Sequence, residues 1–399
     1  MATTGAAPIP VTLGAPISGV VPTNALLAAM LNAHAQVSDL IFSPGRLPQV
    51  ELHGQLVQVQ AKGLMPLTAD DTRRIAADLI DNNKQAVNLL REQGFCDVSY
   101  GLAGTARFRV NVFIQRGSCA VVMRVIPTEI PHLSDLGLPP QLEAIAELRD
   151  GIVLVSGPRA SGKSSTLAAL VDAINQRRSW HIITVEDPIE FLHNHKRCTI
   201  HQRELHSDTP SFALGLNAAM RQSPQVILVS ELRDRRTMEI AIEAAETGHL
   251  VLSSLNAIDA AKTVERAVGM FSAPEQGSAR ARLAKTLRYV ISQRLLPRRD
   301  GSGRIAAVEI LRLNPRVRTA IEREAQPGPV LLQAMRDGAS EGMQSLDCAL
   351  EKLVRAGCID PEIALSQAPD SPVLSHAFAH ASEIGPALDP IASVRGTSV

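Results

Sequence analysis

Gly157, Pro158, Arg159, Ala160, Ser161, Gly162, Lys163 and Ser164 satisfy the spacing G-x-x-x-x-G-K-[ST], with Ser165 following. Glycines at both ends let backbone N–H groups turn inward, the lysine adds a compact positive charge and the serine a hydroxyl. A phosphate chain suits that chemistry. Lys163 would reach the β- and γ-phosphates of ATP or another nucleoside triphosphate, and the Ser164 hydroxyl would ligate Mg2+.

Acids follow further along the chain. VEDPIEF places Glu186, Asp187 and Glu190 at the end of an apolar run. Three carboxylates so close repel one another unless metal, arginine or solvent takes up charge. They fit an ordinary acidic strand-to-helix turn, or a group that orients or deprotonates an attacking water beside magnesium. VILVSELRD ends at Glu231, followed by Arg233 and Asp234, and an apolar run closed by an acid is the Walker-B pattern of a magnesium contact.

Thr247-Gly248-His249 introduces a further run that ends in Ser253, Ser254 and Asn256, polar groups able to sense a γ-phosphate. Spacing alone gives His249 no role beyond that of a structural histidine. His193, His195, Cys198, His201 and His206 crowd into fourteen residues, yet they match no zinc spacing and Lys196 and Arg197 interrupt them. No metal site is expected there. Arg107, Arg109 and Arg124 either offer cations to a phosphate or line a solvated sheet face.

The elements that must position these groups follow from periodicity. From Gly151, the runs IVLVS at Ile152, IITVE at Ile182, VILVS at Val226 and LVLSS at Leu250 alternate with helical segments. This pattern argues for a parallel sheet covered on both faces, with ligands bound beyond the carboxyl ends of its strands. Upstream, Asn24 is expected to cap a helix containing Leu27, Met30 and Leu31, and a β-like stretch follows from Asp39 to Val59. One helix is expected from Ala69 to Glu92, with Ile75, Leu79, Ala86 and Leu90 inward, then a hairpin over Ala106 to Ile126 turning at Arg116-Gly117.

Pro127, Pro131, Pro139 and Pro140 mark a linker. Downstream, Ser272 and Glu275 form a capping box for a helix with the apolar line Leu283, Leu287, Val290 and Ile291. Asn314-Pro315 opens another helix, and Leu346, Leu350 and Leu353 line a third. The expected organisation is a flexible leader over 1–23, an α+β domain over 24–127, a linker over 128–150, the nucleotide core over 151–298 and a C-terminal helical region over 299–368. A Pro-, Ala- and Ser-rich tail over 369–399 is expected to be disordered.

Composition narrows the classes. The 399 residues suffice for two or three domains, and 45% hydrophobic with 20% charged residues describes a globular chain, so a miniprotein and wholesale disorder are excluded. Forty basic against forty acidic residues with 3% aromatics lack the surplus and stacking platforms of a dedicated nucleic-acid binder. Five cysteines without a C-x-x-C pair read as reduced thiols in a cytosolic protein. No stretch approaches the roughly 18 uncharged apolar residues needed to span a bilayer, and Met1 to Thr23 carries no Lys or Arg for a signal peptide.

In order along the chain, ARFRVN at Ala106, GPRASGKSSTLAALVD at Gly157, ITVEDPIEF at Ile183, HQRELHSDT at His201, ILVSELRD at Ile227, AAETGHLVLSSLN at Ala244 and GMQSLD at Gly342 resemble one family. That family is the PilT/PilU type IV pilus retraction ATPases, within the secretion-ATPase superfamily, and the resemblance runs from roughly Ser38 to Ala368. It implies an α/β fold: a RecA-like P-loop NTPase core, a smaller N-terminal α+β domain of PAS type, and C-terminal helices. It also implies a hexameric ring with ATP between the two domains, hydrolysed to power pilus retraction and twitching motility.

Carried onto this chain, the resemblance makes Glu190 the general base of the Asp box, Glu231 the Walker-B acid and His249 the first His-box histidine. Arg107 and Arg124 match arginines that contact nucleotide phosphates. The implied partners are five further copies, an inner-membrane pilus platform protein and a paralogous retraction ATPase, at the cytoplasmic face of the inner membrane. Four places depart from the family. Arg159-Ala160 stands for Thr-Gly, Ser230 for Gly, Asn256 for the second His-box histidine, and Arg316 to Arg323 only partly keeps AIRNLIRE. These leave an alternative open: a weakly or non-hydrolysing nucleotide-binding accessory subunit. A pilus-assembly or type II secretion ATPase ranks lower, because those relatives typically carry a four-cysteine zinc segment and this chain has no cysteine between Cys198 and Cys348.

Overall fold

The structure, a computed structural model, describes residues 8–12, 21–34, 37–52, 55–127, 129–323, 326–369, 371 and 373–375. The chain divides into two compact units. The first comprises residues 1–130, 185–194 and 202–215, and the second residues 131–184, 195–201 and 216–399. The short segments 185–194 and 202–215, expected within the core, therefore group with the N-terminal residues.

The first unit holds β1 (Ile9–Pro10), α1 (Thr23–Leu31), β2 (Asp39–Phe42), β3 (Gln49–Leu52), β4 (Gln55–Gln60), α2 (Ala69–Ile80), α3 (Lys84–Gln93), β5 (Phe95–Leu102), β6 (Ala106–Gln115) and β7 (Ser118–Ile126). Its sheet runs β1-β4-β3-β2-β7-β6-β5. The Arg116-Gly117 turn takes positive φ at both residues, 47° and 75°, which matches the twist of the β6–β7 hairpin. Leu27, Met30, Phe42, Ile75, Phe108 and Met123 are fully buried in one core. Each contributes roughly 1.5–3 kcal/mol.

Two sequence expectations change here. Asn24 lies inside the first turn of α1, where its side chain accepts the Tyr100 hydroxyl, and Pro22 stands at the cap. The helix expected over 69–92 is two helices. Asp81 takes φ 47°, which ends α2, and the Asn83 side chain restarts the helix by accepting the Ala86 N–H at 3.0 Å. Of the leader, residues 8–12 and 21–23 are described, and Ile9–Pro10 pairs in parallel with Val59 and Gln60. The rest of it lies outside the described residues.

The remaining elements begin with β8 (Gly151–Ser156), α4 (Lys163–Arg177), β9 (His181–Glu186), β10 (Thr199–Glu204), α5 (Phe212–Ala219), β11 (Val226–Val229), α6 (Arg235–Glu246) and β12 (Leu250–Leu255). After them come α7 (Ala260–Gly269), α8 (Gln276–Thr286), β13 (Leu287–Pro297), β14 (Arg304–Arg312), α9 (Pro315–Arg323), α10 (Gly328–Asp337), α11 (Leu346–Arg355) and α12 (Pro361–Gln367). The second sheet runs β10-β9-β11-β12-β8-β13-β14. β8, β11, β12 and β13 pair in parallel, while β14 closes one edge antiparallel to β13. Every residue of β8 and β12 is buried, as a strand covered on both faces requires.

Beyond β12 the chain corrects the sequence again. Ser272 does bond Glu275, its N–H and hydroxyl donating to the carboxylate at 3.1 and 2.6 Å. The helix stops at Thr286, however, and Leu287, Val290 and Ile291 belong to β13. A strand buried on both faces reads as a continuous apolar run, and helical spacing fits it by accident. The expected C-terminal helical region likewise contains β14. In the expected linker, a 3-10 helix over Pro140–Glu147 buries Leu142 and Ile145 in the second unit's core. Most of the expected tail lies outside the described residues, while Leu374 is buried against a small cluster with Leu350 and Ile359.

Candidate functional site

The loop between β8 and α4 is built around its glycines. Gly157 has φ 145°, and a Cβ there would stand 2.2 Å from the Gln293 carbonyl oxygen. Gly162, which precedes α4, has φ 88°, and its Cβ would stand 2.7 Å from Gln293 Nε2. Only glycine fits either place. Ala160 takes φ 58°, a left-handed conformation that costs an L-residue roughly 1–2 kcal/mol.

Lys163 Nζ donates to the carbonyls of Gly157 and Pro158, at 3.0 and 2.9 Å. Ser161 Oγ is buried and has no hydrogen-bond partner among the described residues. A buried hydroxyl without a partner among the described residues, in a glycine-framed loop at the positive end of a 15-residue helix, fits an anionic ligand.

Gln293, on β13, holds this loop in shape and was not singled out by its sequence. Its Nε2 donates to the Ser161 carbonyl at 2.6 Å, and its Oε1 accepts the Thr166 hydroxyl at 2.7 Å. One buried amide thus ties the loop to the first turns of α4. Alternation along 289–295, with Tyr289, Ile291, Gln293 and Leu295 on one face, is the signal that reveals it.

The strand β11, which carries the run read as Walker-B, ends at Val229. Ser253 Oγ donates to the Val229 carbonyl at 2.5 Å and Ser254 Oγ to the Ser230 carbonyl at 2.6 Å, so both serines brace the strand end. Glu231 lies just beyond. One of its carboxylate oxygens accepts from Asn256 Nδ2 and the other from Arg233 Nε at 2.9 Å. His249 Nδ1 faces the Ala244 carbonyl at 2.9 Å, which requires a proton on Nδ1 and leaves Nε2 as the ring's acceptor.

The loop residues 157–165, Glu231 and His249 all belong to the second unit, whereas Glu190, Arg107 and Arg124 belong to the first. Glu190 is exposed. Glu186 accepts from Gln202 Nε2 at 2.9 Å. Arg107 is not on an open sheet face: it pairs with Glu204 at 3.0 Å, and 27% of its side chain is exposed. Arg124 pairs with buried Asp39 at 3.1 Å but leaves 73% of its side chain in solvent.

Cys198 is buried, with Sγ donating to the Arg178 carbonyl at 3.0 Å, and burial pushes its thiol pKa up. His201 and His181 share a hydrogen bond of 2.8 Å. Among the described residues, no three His, Cys, Asp or Glu side chains gather so as to hold a metal. Nor is any described helix long and apolar enough to cross a membrane.

Residues 101–345, more than half of the chain, match the family described as type II/IV secretion system protein. A twitching motility protein of Neisseria gonorrhoeae is 42% identical over 330 residues, covering 82% of this chain and 86% of the relative. The chain belongs to that family. It is an ATPase. The type IV pilus retraction ATPase PilT of Pseudomonas aeruginosa is 39% identical over 84% of this chain and 96% of its own length. Among solved structures, that of the pilus retraction motor PilT with bound ADP matches at a TM-score of 0.76 and 40% identity, covering 85% of this chain and 95% of that one. The fold class is thus α/β, a RecA-like P-loop core with a smaller N-terminal α+β domain of PAS type and C-terminal helices.

Proposed function

We propose that this ATPase is a motor that couples ATP hydrolysis to retraction of a type IV pilus, the movement behind twitching. One observation carries the nucleotide part of the reading: the Gly157 to Ser164 loop, whose glycines leave no room for side chains and whose buried Ser161 hydroxyl has no partner among the described residues. The backbone amides and the α4 terminus hold the phosphates, and Lys163 exchanges its two loop carbonyls for phosphate oxygens. Similarity to the retraction ATPases supports the pilus as the load.

In this reading Glu190 takes the proton of the attacking water, and Arg107 and Arg124 neutralise phosphate charge. His249 would use its acceptor Nε2 to hold a water beside the reacting phosphate. Ser164 and Glu231 would hold Mg2+, which when bound neutralises phosphate charge. Glu231 suits that place because Asn256 and Arg233 fix its orientation. The working assembly is a homohexamer, peripheral at the cytoplasmic face of the inner membrane. Its partners are the pilus platform protein and a paralogous retraction ATPase, with no nucleic acid.

Lys163→Ala should abolish ATP binding, while Glu190→Ala should bind ATP and fail to turn it over. Normal phosphate release by Glu190→Ala would remove Glu190 as the base. Deleting the gene should leave cells piliated and non-motile, whereas bald cells would point to assembly. A second reading, a weakly hydrolysing accessory subunit, draws support from strained Ala160 and from Asn256, an amide in place of a histidine, bound to Glu231. Robust magnesium-dependent phosphate release by the purified protein eliminates it.

A further inference from the structure

Glu204, the last residue of β10, is a buried carboxylate that none of these roles uses; 6% of its side chain is exposed. One oxygen accepts the hydroxyl of Ser99 on β5. The other accepts Arg107 Nη2 from β6 at 3.0 Å and the backbone N–H of Ile189 at 3.3 Å. Ile189 is buried and directly precedes Glu190. A single negative charge therefore holds two strands of the N-terminal sheet, the arginine assigned to phosphate and the loop that carries the assigned base, all within one unit.

The arginine is incompletely satisfied in this arrangement. Its Nε is buried with no partner among the described residues, and its bond to Glu204 runs through one nitrogen to an oxygen already shared with an amide. A guanidinium carries five donors and matches a phosphate or carboxylate best in a two-point fork. The contact seen here is a one-point contact, so a phosphate can compete for the same group.

We propose that Glu204 is a holster for Arg107: a positioning residue that restrains the arginine until a triphosphate draws it away, and so weakens the binding of triphosphate but not of diphosphate. The proposal rests on the reading of Arg107 as a phosphate contact. Leaving Glu204 deprives a mostly buried carboxylate of its counter-charge, a cost that binding must offset. A triphosphate meets this cost because its third phosphate engages Arg107, whereas a diphosphate leaves the arginine on Glu204. Release of phosphate lets Arg107 return, while Glu204 keeps hold of Ile189 and the loop beside Glu190.

The test is calorimetric titration of the full-length protein with ADP and with a non-hydrolysable ATP analogue. Glu204→Gln keeps the size and an acceptor for Ile189 but removes the charge. It should tighten analogue binding about tenfold, the scale of one charge-assisted hydrogen bond, and leave ADP within about twofold. In an Arg107→Ala background the same substitution should change neither. If Glu204→Gln folds poorly, Glu204→Asp retains the charge, draws it back from Arg107, and should shift the analogue the same way by less. Equal shifts for both nucleotides, or a shift that persists without Arg107, overturn the holster and reduce Glu204 to a structural strut. Unchanged analogue affinity in Arg107→Ala alone overturns the assignment of Arg107 and the holster with it.

Discussion

Replacing Gln293 with methionine tests how the nucleotide loop is held. The side chain is 3% exposed and bonds at both ends, to the Ser161 carbonyl at 2.6 Å and the Thr166 hydroxyl at 2.7 Å. Methionine keeps the volume and loses both bonds. The Thr166 hydroxyl can turn to the Gly162 carbonyl four residues back, so its loss is partly made good. The Ser161 carbonyl has no such recourse. Two net hydrogen bonds at about 1 kcal/mol each, with a further contribution from the stranded carbonyl, give a loss of about 2–3 kcal/mol.

For a unit of this size each kcal/mol moves the melting point by about 2–4 °C, so the second unit's transition should fall by about 4–12 °C. Nucleotide affinity should fall about tenfold or more, because the loop no longer waits in its binding shape. Differential scanning calorimetry and titration calorimetry measure the two effects. Thr166→Val should cost less than Gln293→Met, and the double variant less than the sum, as expected for groups that share a bond. A Gln293→Met protein that melts within about 1 °C of wild type and binds nucleotide normally would refute the clamp.

Ala160→Gly should be neutral to stabilising: relief of roughly 1–2 kcal/mol of left-handed strain is offset by about 0.4–1 kcal/mol of extra unfolded-state entropy, so a clear fall in melting temperature would contradict the φ of 58°. Glu309 is buried on β14, and burial pushes its pKa from 4.5 up to about 7; Asp259 and Asp347 add to the rise, against the Ala260 N–H at 2.7 Å and Arg294. Because the folded state holds this proton more tightly than the unfolded one, the stabilisation is full below about pH 4.5 and is lost as pH rises toward 7. Urea titrations should show wild type losing about 1.4 kcal/mol per pH unit across that window relative to Glu309→Gln, and parallel pH profiles would count against it.

What the sequence disclosed depended on how local each feature is. The strand, glycine loop and helix over residues 151–177 were legible because they lie within about thirty consecutive residues, and each is a local pattern. The β6–β7 hairpin was legible for the same reason, since Arg116-Gly117 and the alternation around it carry their own geometry. The helix break at Asp81 was missed because apolar spacing on either side stayed in phase, and only the positive φ and the Asn83 cap separate α2 from α3.

Gln293 and Glu204 were beyond local reading for a different reason. Gln293 acts on residues 127 and 132 positions away, and it does so only because β13 returns to pair beside β8. Glu204 reaches Arg107 and Ser99 across 97 and 105 positions. Local spacing names groups that can touch a phosphate; the groups that hold them ready are set by strand order. The two buried polar side chains also sit one on each unit, each beside residues assigned to nucleotide. Sequence motifs thus name the candidate residues of this ATPase, whereas the buried groups that hold them make contacts that exist only after both sheets have formed.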